Sequence, residues 1–534
     1  PSNIKRESVS CTLEYAYDDW AISRMAGAMG RDDVAREYAQ RALNYANVFD
    51  GSTCFFRGRG TDGNWSEPFE EFATGRDYTE ATPWHYRFFV PHDVNGLAGL
   101  FGSRAAFVRE LDRLFTLESD EMQLDVSDVT GLMGQYAHGN EPSHHMAYLY
   151  NYVGQPWRTQ ELTRSLLHGM YAPTPAGIIG NEDCGQMSAW YIFSSLGFYP
   201  VCPGSNQFAL TAPQFPKAVV RLANGRTLTV TANPRRNTYI ASVTLDGVPV
   251  TENFITYEQL MQGGELHFEL RAEPDYARGT DAAAEPYSLT RGQVVSIPYT
   301  TQNVSLFTEP VAVALATTTA GAEIRYTLDG SEPDETSVLY AGPVVVDRSL
   351  TLKARGFKPR AAPSRTLTLQ AEKAVFRKGL PGAGAAMRPG VAYACYEGVF
   401  SHVDEIRRGK LVASGTMPEP SIADAPQEDH FGYIFNGWIR IPERGVWEFM
   451  TKSDDGSVLV IGDRKVVDND GSHASVMATG RVALEAGLHP YTLMYFEDYE
   501  GQDLSWGWRA PGAALFEQIP AERLYVEFPD CPAD

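Results

Sequence analysis

The sequence predicts a multidomain chain of mixed α and β class. Helical periodicity runs through roughly its first 200 residues, short alternating strands take over from there to the end, and 534 residues exceed what one core accommodates. At about one unit per ~150 residues, three or four units are expected.

The helical part can be read element by element. Leu13, Ala16 and Trp20 recur at helical spacing up to Gly30, and Asp33 opens a second helix with Ala35, Tyr38, Ala39, Ala42 and Ala46 on one face. Ser103 precedes a third helix with Phe107, Val108, Leu111, Leu114 and Phe115 in register. Pro156 stands where a helix-initiating proline belongs, ahead of Leu162, Leu166 and Leu167, and a last helix is expected from Asn181 to Gly197. Six or seven helices are expected in all, joined in places by long loops at 48–78 and 117–141.

From residue 201 to 280 the pattern is β, with strands at Val219–Leu222, Leu228–Val230, Ser242–Leu245 before an Asp246-Gly247 turn, and Leu266–Leu270. Residues 296–372 form a second β unit whose size and strand count suit an immunoglobulin-like sandwich. Residues 378–528 form a third, richer in aromatics, with Ser457–Ile461 among its strands. The Ala/Pro/Gly-rich stretches 280–286 and 380–390 read as linkers.

Composition excludes several functions. A net charge of -22 argues against general affinity for nucleic acid or anionic membrane, both of which need basic patches. No apolar run approaches the ~18 residues of a membrane span. The six cysteines include no CxxC pair, so neither structural zinc nor a redox motif is supported, and a Cys184–Cys202 bridge is left open. The chain opens on Pro1 rather than Met and enters a helical pattern almost at once, which reads as a truncated N-terminus.

Three segments carry more polar residues than packing needs: YTEATPWHY at 78–86, HGNEPSHH at 138–145 and GNEDCGQMSAW at 180–190. Each lies where a loop meets a helix, so side chains from different elements can converge on one mouth. Glycoside hydrolysis needs one protonated and one ionised carboxyl on either side of a scissile bond, and Glu80 with Asp183 or Glu182 would supply them. Plainer readings compete. Asn181, Glu182 and Asp183 suit a helix cap, and Glu80 suits a solvated loop. His144 and His145 are adjacent and must diverge, which favours hydrogen-bonded core histidines over zinc ligands. Asn140 and Glu141 offer oxygen donors of the kind calcium takes, without the spacing of an EF-hand.

Taken together and in this order, the segments resemble glycoside hydrolase family 92, the calcium-dependent inverting exo-α-mannosidases. GNEDCGQMSAWYIFSSLGFYPVCPG at 180–204 carries most of the resemblance, with SCTLEYAYDDWAISRMA at 10–26, TPWHYRFFVPHDVNGL at 82–97 and HGNEPSHH in support. The resemblance covers roughly 1–278. It implies that 1–200 is part of an (α/α)6 barrel and that 201–280 supplies companion β-strands; a ring left incomplete at its N-terminal side predicts little turnover by this chain alone. It further implies Glu80 as general acid, Asp183 as general base, and Asn140 and Glu141 in a calcium-binding loop. Trp84, His85, Asp93, His144, Gln186 and Glu182 become candidates for the sugar pocket and its support. Some family members carry an acid where Asn181 stands, so an assisting second carboxylate is absent here or replaced by Glu182. Terminal α-mannose on glycans such as N-glycans is the implied substrate, with α-1,2 linkages the first expectation and a secreted, periplasmic or cell-surface location.

YTLDGSEP at 326–333 and LTLKARGF at 350–357 resemble the immunoglobulin-like C-terminal module of chitobiases, usually a spacer. FNGWIRIPERGVWEFMTKSDDGSVLVIGD at 435–463 resembles the protective-antigen-type β-barrel, in some members of which an Asp-Asp pair binds calcium and glycan. Asp454 and Asp455 are the candidates here, against a solvated turn before Gly456. Two rival functions stay open: an (α/α)6 glycosidase for another sugar, and a glycan-binding or adhesin-type fragment with an inert barrel remnant. Oligomeric state is not legible.

Overall fold

The computed structural model describes residues 6–60, 63–118, 129–302, 304–381, 387–499, 501–513 and 515–527. Helix α1 spans Ser8–Ala28 and buries Leu13, Ala16 and Trp20, the periodic residues of the sequence. Helix α2 spans Asp32–Arg41 and ends early: Ala42 and Ala46 are buried, but from a turn and a 3-10 segment rather than from the helix face. Two short helices follow, α3 at Pro83–Tyr86 and α4 at Val94–Leu100. Helix α5, Arg104–Thr116, starts where expected because the Ser103 hydroxyl accepts the Ala106 N–H at 3.1 Å. Helix α6, Pro156–Gly169, has its proline at the first position, where the missing N–H costs nothing.

Helix α7 is Gln186–Leu196 and corrects the expected start at Asn181. Asp183, Cys184 and Gly185 take φ of 49°, 55° and 96°, a left-handed run that a right-handed helix cannot contain. Gly197, at φ 95°, ends the helix and returns its N–H toward Phe193 and Ser194. One core gathers Val9 and Leu13 with Trp84, Leu97, Phe107, Tyr148, Leu166 and Trp190, so all but α2 of these helices bury a face in common.

The β region forms several sheets, none of them closed. Tyr239–Leu245, Gly264–Arg271, Thr227–Ala232 and Lys217–Arg221 lie side by side in a five-stranded sheet with Val248–Pro249 at one edge. Its face, with Val230, Val243, Leu266 and Phe268, packs beside α7. Residues 311–371 make a two-stranded and a four-stranded sheet around Val313, Val346 and Leu352. The last unit sets an eight-stranded sheet against a four-stranded one, with Phe435, Leu459 and Tyr495 of the first meeting Trp447, Phe449 and Trp508 of the second.

The linker reading of 280–286 is corrected. Asn253 N–H donates to the Ala284 carbonyl at 2.8 Å and Tyr287 N–H to Gln207 at 2.6 Å, which fixes the stretch to the β sheet region. Small residues suggested freedom, but their backbone groups are paired. The second unit continues the contact: Ile297 N–H reaches Asn47 at 2.9 Å, and the Arg59 guanidinium lies 4.1 Å over the Tyr299 ring. Arg464 grips Glu372 through two bonds of 2.6 and 2.9 Å, joining the second and third units. Of the second linker, Leu380 is bonded to Leu488 and Met387–Pro389 is a strand, while 382–386 lies outside the described residues. Cys184 is exposed and Cys202 buried, both as free thiols, so the possible bridge does not form; Cys531 lies outside the described residues. No helix among the described residues is long and apolar enough to cross a membrane.

Candidate active site

Helix α1 leaves its first N–H groups without partners of its own, and the segment before Glu80 takes them up. Glu7 N–H donates to the Arg76 carbonyl at 2.6 Å and Val9 N–H to the Asp77 carbonyl at 3.0 Å. The Ser8 hydroxyl donates to the Asp77 carboxylate at 2.8 Å, and Thr79 N–H donates to Ser10 Oγ at 2.9 Å. The loop is thereby fixed at its base, and Glu80 stands exposed at its end with φ 50°, in the left-handed region that non-glycine residues enter at a cost.

Beyond Glu80, Thr82 N–H donates to His85 Nδ1 at 3.1 Å and closes the first turn of α3. His85 is buried, and burial lowers its pKa to about 4, so it is neutral at pH 7. Trp84 is fully buried: Phe55 meets its ring edge-on at 5.1 Å, and the Arg87 and Arg113 guanidinium carbons lie 4.5 and 5.3 Å from its centroid. It packs α3 and offers no face to a sugar. Asp93 is also fully buried and belongs to the support. It caps α4 by accepting Gly96 N–H at 3.2 Å, and it accepts Tyr45 OH at 2.8 Å, Ser288 Oγ at 2.7 Å and Thr290 N–H at 2.8 Å.

The second segment meets the first at Asn140, whose side-chain amide donates to the Glu80 carbonyl at 3.1 Å while its Oδ1 accepts Glu141 N–H at 3.1 Å. Glu141 itself is exposed. The two adjacent histidines diverge as expected: His144 Nε2 lies 2.9 Å from the His138 carbonyl, and His145 Nε2 lies 2.9 Å from the Phe88 carbonyl. Burial holds both near a pKa of about 4 and His138 near about 3, so all three are neutral at pH 7.

The third segment joins at His144. Gln186, the first residue of α7, donates its amide to His144 Nδ1 at 3.0 Å, and Trp190 Nε1 donates to the His144 carbonyl at 2.9 Å. His138 is gripped between the hydroxyls of Tyr136 and Tyr171, each at 2.8 Å. Gly180 has no room for a side chain, since a Cβ there would lie 2.7 Å from Thr130 Oγ1. Asp183 is exposed at φ 49°, close enough to act on the charge of His144. Glu182 accepts Ser188 N–H at 3.1 Å, so the capping reading of this segment holds for Glu182 and not for Asp183.

The three segments thus converge, with buried neutral residues behind and Glu80, Glu141, Glu182 and Asp183 in solvent. A separate groove of about 620 Å³ between α6 and α7, lined by Tyr171, Ile178, Tyr191 and Ile192, includes none of the predicted site residues. Asn140 and Glu141 present hard oxygen donors, although Glu141 joins no cluster of three or more His, Cys, Asp or Glu ligand groups among the described residues. The one such cluster among them is Asp454, Asp455 and Glu497, with ligand atoms within 4.8 Å of one another. Asp455 is buried, which corrects the solvated-turn reading, and it takes His473 N–H and Asp498 N–H at 2.8 Å each. Glu497 accepts Tyr495 OH at 2.9 Å through Oε2, while its buried Oε1 is unpartnered. Burial, opposed by the Tyr495 bond and aided by the two aspartates, pushes Glu497 up to about 7.

Sequence reasoning missed Glu497 and Glu14. Glu14 lies on α1 beneath Tyr86, whose hydroxyl donates to it at 3.4 Å, and burial pushes its carboxyl up to about 7. The only sequence signal was its position four residues after Ser10 on the same helix face.

Residues 1–272 match the glycosyl hydrolase family 92 catalytic domain, 302–368 the chitobiase/beta-hexosaminidase C-terminal domain and 388–521 the PA14 domain. Among solved structures, the family GH92 alpha-mannosidase BT3965 from Bacteroides thetaiotaomicron is 39% identical with a TM-score of 0.50, over 53% of this chain and 37% of that one. Its complex with mannoimidazole gives 38% identity and a TM-score of 0.52, over 54% and 39%. An uncharacterized secreted glycosidase of Arthroderma benhamiae is 28% identical over 319 residues, 54% of this chain and 39% of that protein. The chain therefore spans about two fifths of the length of these relatives.

Proposed function

Because the chain belongs to glycosyl hydrolase family 92, we propose that it takes part in exo-hydrolysis of terminal α-linked mannose from glycans, with inversion of configuration. The supporting observation is the convergence of three sequence-distant segments through Asn140 on Glu80 and Gln186 on His144, with two non-glycine residues in left-handed backbone at the loop ends. In this reading Glu80 protonates the leaving oxygen and Asp183 removes a proton from the attacking water, the separate roles that two carboxyls serve in glycoside hydrolysis. His85 and His144, neutral and buried, orient the backbone behind them. Trp84 and Asp93 hold the wall, and Gln186 fixes the His144 ring. The helices contribute to an (α/α)6 ring.

Asn140 Oδ1 and the Glu141 carboxylate would contribute to the shell of a calcium ion. When bound, such a cation draws the vicinal hydroxyls of mannose toward a flattened ring. A second site on the C-terminal unit is favoured by the buried, unpartnered oxygen of Glu497: with Asp454 and Asp455 it suits a hard cation and, with it, a glycan. We extend the proposal to N-glycan-type substrates with α-1,2 linkages; a location outside the cytoplasm fits the secreted relative.

The test is release of mannose from α-1,2-mannobiose by the chain completed to the length of its family 92 relatives, followed by ¹H NMR of the anomer first formed. β-Mannose appearing first, abolished by Glu80→Gln, Asp183→Asn and chelation and restored by calcium but not zinc, is expected. Glucose release instead, or full activity in Glu80→Gln, would overturn the reading.

A further inference from the structure

The Glu80 segment has a second anchor besides α1. Two residues before Glu80, the buried Tyr78 donates its hydroxyl to the Phe56 carbonyl at 2.6 Å, and the Asp77 carboxylate lies so close against Gly58 that a Cβ there has no room. Residues 55–66 fold back on themselves through the Arg59–Trp65 bridge, and Ser66 N–H donates to the Gly58 carbonyl at 2.8 Å. Arg57 braces this hairpin by reaching Asp50 and Glu67 at 2.7 Å each. The cavity left between it and 68–78 is about 80 Å³, too small for a sugar.

The hairpin rests in turn on the second unit. The Arg59 guanidinium lies over two rings, 4.7 Å from the Trp65 centroid and 4.1 Å from that of Tyr299. Its Nε and Nη2 donate to the Gly63 carbonyl at 3.1 and 2.9 Å, and its Nη1 to the Asn47 carbonyl at 3.0 Å. Gly63, at φ 77°, sits so near Tyr299 that a Cβ would lie 2.8 Å from the ring. Asn47 Oδ1 accepts Ile297 N–H at 2.9 Å. Tyr299 is itself held inside the second unit by paired backbone bonds with Ala316 of 2.8 and 2.9 Å. The path from Ala316 to Tyr78 thus runs through hydrogen bonds, ring contacts and one short stretch of backbone.

We propose that the second unit is a clamp rather than a spacer: Tyr299 and Arg59 are positioning residues that seat the 55–66 hairpin, and the hairpin sets where the Glu80 segment stands. The functional half of this rests on Glu80 being the acid; the clamp itself does not. A spacer meets its neighbour through the connecting chain alone, whereas this unit also touches the hairpin and its base by a ring and a backbone amide. Glu80 holds left-handed backbone, which persists only where the surroundings over-determine it. Helix α1 supplies one side of that constraint and the hairpin the other. Arginine suits the joint, because its planar fork ties two carbonyls together while its face rests on the Tyr299 ring.

Hydrogen exchange of the full chain, read by mass spectrometry, tests the clamp, with the Ser66 and Tyr78 amides, bonded to Gly58 and Gly75, as reporters. Tyr299→Ala should speed exchange in peptides covering 56–66 and 75–80 roughly tenfold or more, and Tyr299→Phe, which keeps the ring, should leave them protected. Peptides from Glu323–Thr327 and Leu350–Phe357 report whether the second unit is still folded. Arg59→Ala, outside that unit, is the second variant and should loosen the same two peptides. Unchanged exchange at 75–80 in Tyr299→Ala, or in Arg59→Ala where Tyr299→Ala unfolds the second unit, would overturn the clamp without touching the glycosidase reading. Turnover by the chain completed to the length of its family 92 relatives is the second arm: Tyr299→Ala should lower kcat about tenfold or more with little change in KM, and Tyr299→Phe should recover it. Faster exchange with unchanged kcat removes the functional half; unchanged activity in Glu80→Gln removes the acid and leaves the clamp.

Discussion

Asn140 and Glu80 stand sixty residues apart in the chain, and the side-chain amide of the first holds the backbone carbonyl of the second at 3.1 Å. The bond fixes the peptide behind the Glu80 side chain without using the carboxyl, which stays in solvent. Asn140→Ala should therefore leave the fold intact, at a cost of about 1 kcal/mol, yet lower kcat on the order of 10- to 100-fold, since the carboxyl loses its aim. Steady-state kinetics beside chemical denaturation tests this; a kcat within twofold of the unsubstituted protein rules it out.

Asp93 accepts bonds from Tyr45, Gly96, Ser288 and Thr290 in a fully buried setting. Asp93→Asn keeps the shape but turns one acceptor into a donor facing other donors. A loss of about 2–4 kcal/mol in guanidinium unfolding is expected. A change under ~1 kcal/mol would show that the knot relaxes freely.

The helical unit should be acid-labile. His85, His138, His144 and His145 have folded pKa values of about 3 to 4 against 6.5 in the unfolded chain, so unfolding takes up protons and stability falls as the pH drops from about 6.5 toward 4. Glu14 has the opposite sign: its folded pKa of about 7 lies above 4.5, so its contribution is present below 4.5 and is lost as the pH rises through about 7. Melting temperatures between pH 7 and 4.5 should fall, and more steeply in Glu14→Gln, which removes the opposing group. A shallower slope in that variant contradicts the assignment.

Calcium should raise the melting transition of the C-terminal unit. At a hundred times its dissociation constant a bound ion adds about 2.7 kcal/mol. Glu497→Gln and Asp455→Asn should each cancel the gain, and scanning calorimetry with and without calcium reads it directly. Equal shifts in all three proteins would move the ion elsewhere.

Local chemistry was legible where one residue decides it. The Ser103 cap, the Pro156 start and the Asp246-Gly247 turn, with φ of 49° and 79°, stand where the sequence placed them. So does the strand Ser457–Ile461. The illegible parts depend on distant partners. The start of α7 moved from Asn181 to Gln186 because Asp183 and Cys184 take left-handed backbone, and nothing in their side chains requires that. The resemblance made Trp84 a candidate for the sugar pocket or its support without deciding between them; Arg87 encloses it together with Phe55 and Arg113, and the last two come from other elements of the chain. Glu14 gave little sign of its setting beyond its spacing from Ser10, since a carboxyl on a helix ordinarily faces water, and only the fold places Tyr86 above it.

The stretch 288–290 lies between the catalytic-domain match, which stops at 272, and the next, which starts at 302. It nevertheless supplies three of the bonds that close on Asp93 in the helical core. Recombination that exchanged the downstream β units for others at the match boundary would cut that knot and leave the buried Asp93 side chain with only Tyr45 and Gly96 as donors. Such an exchange is tolerated only if the incoming segment brings its own hydroxyls and amide to the same place. The inheritable piece is therefore longer than the recognisable one, and lineages that shuffle these modules should keep the residues just after 280 with the helical unit rather than with the β units downstream.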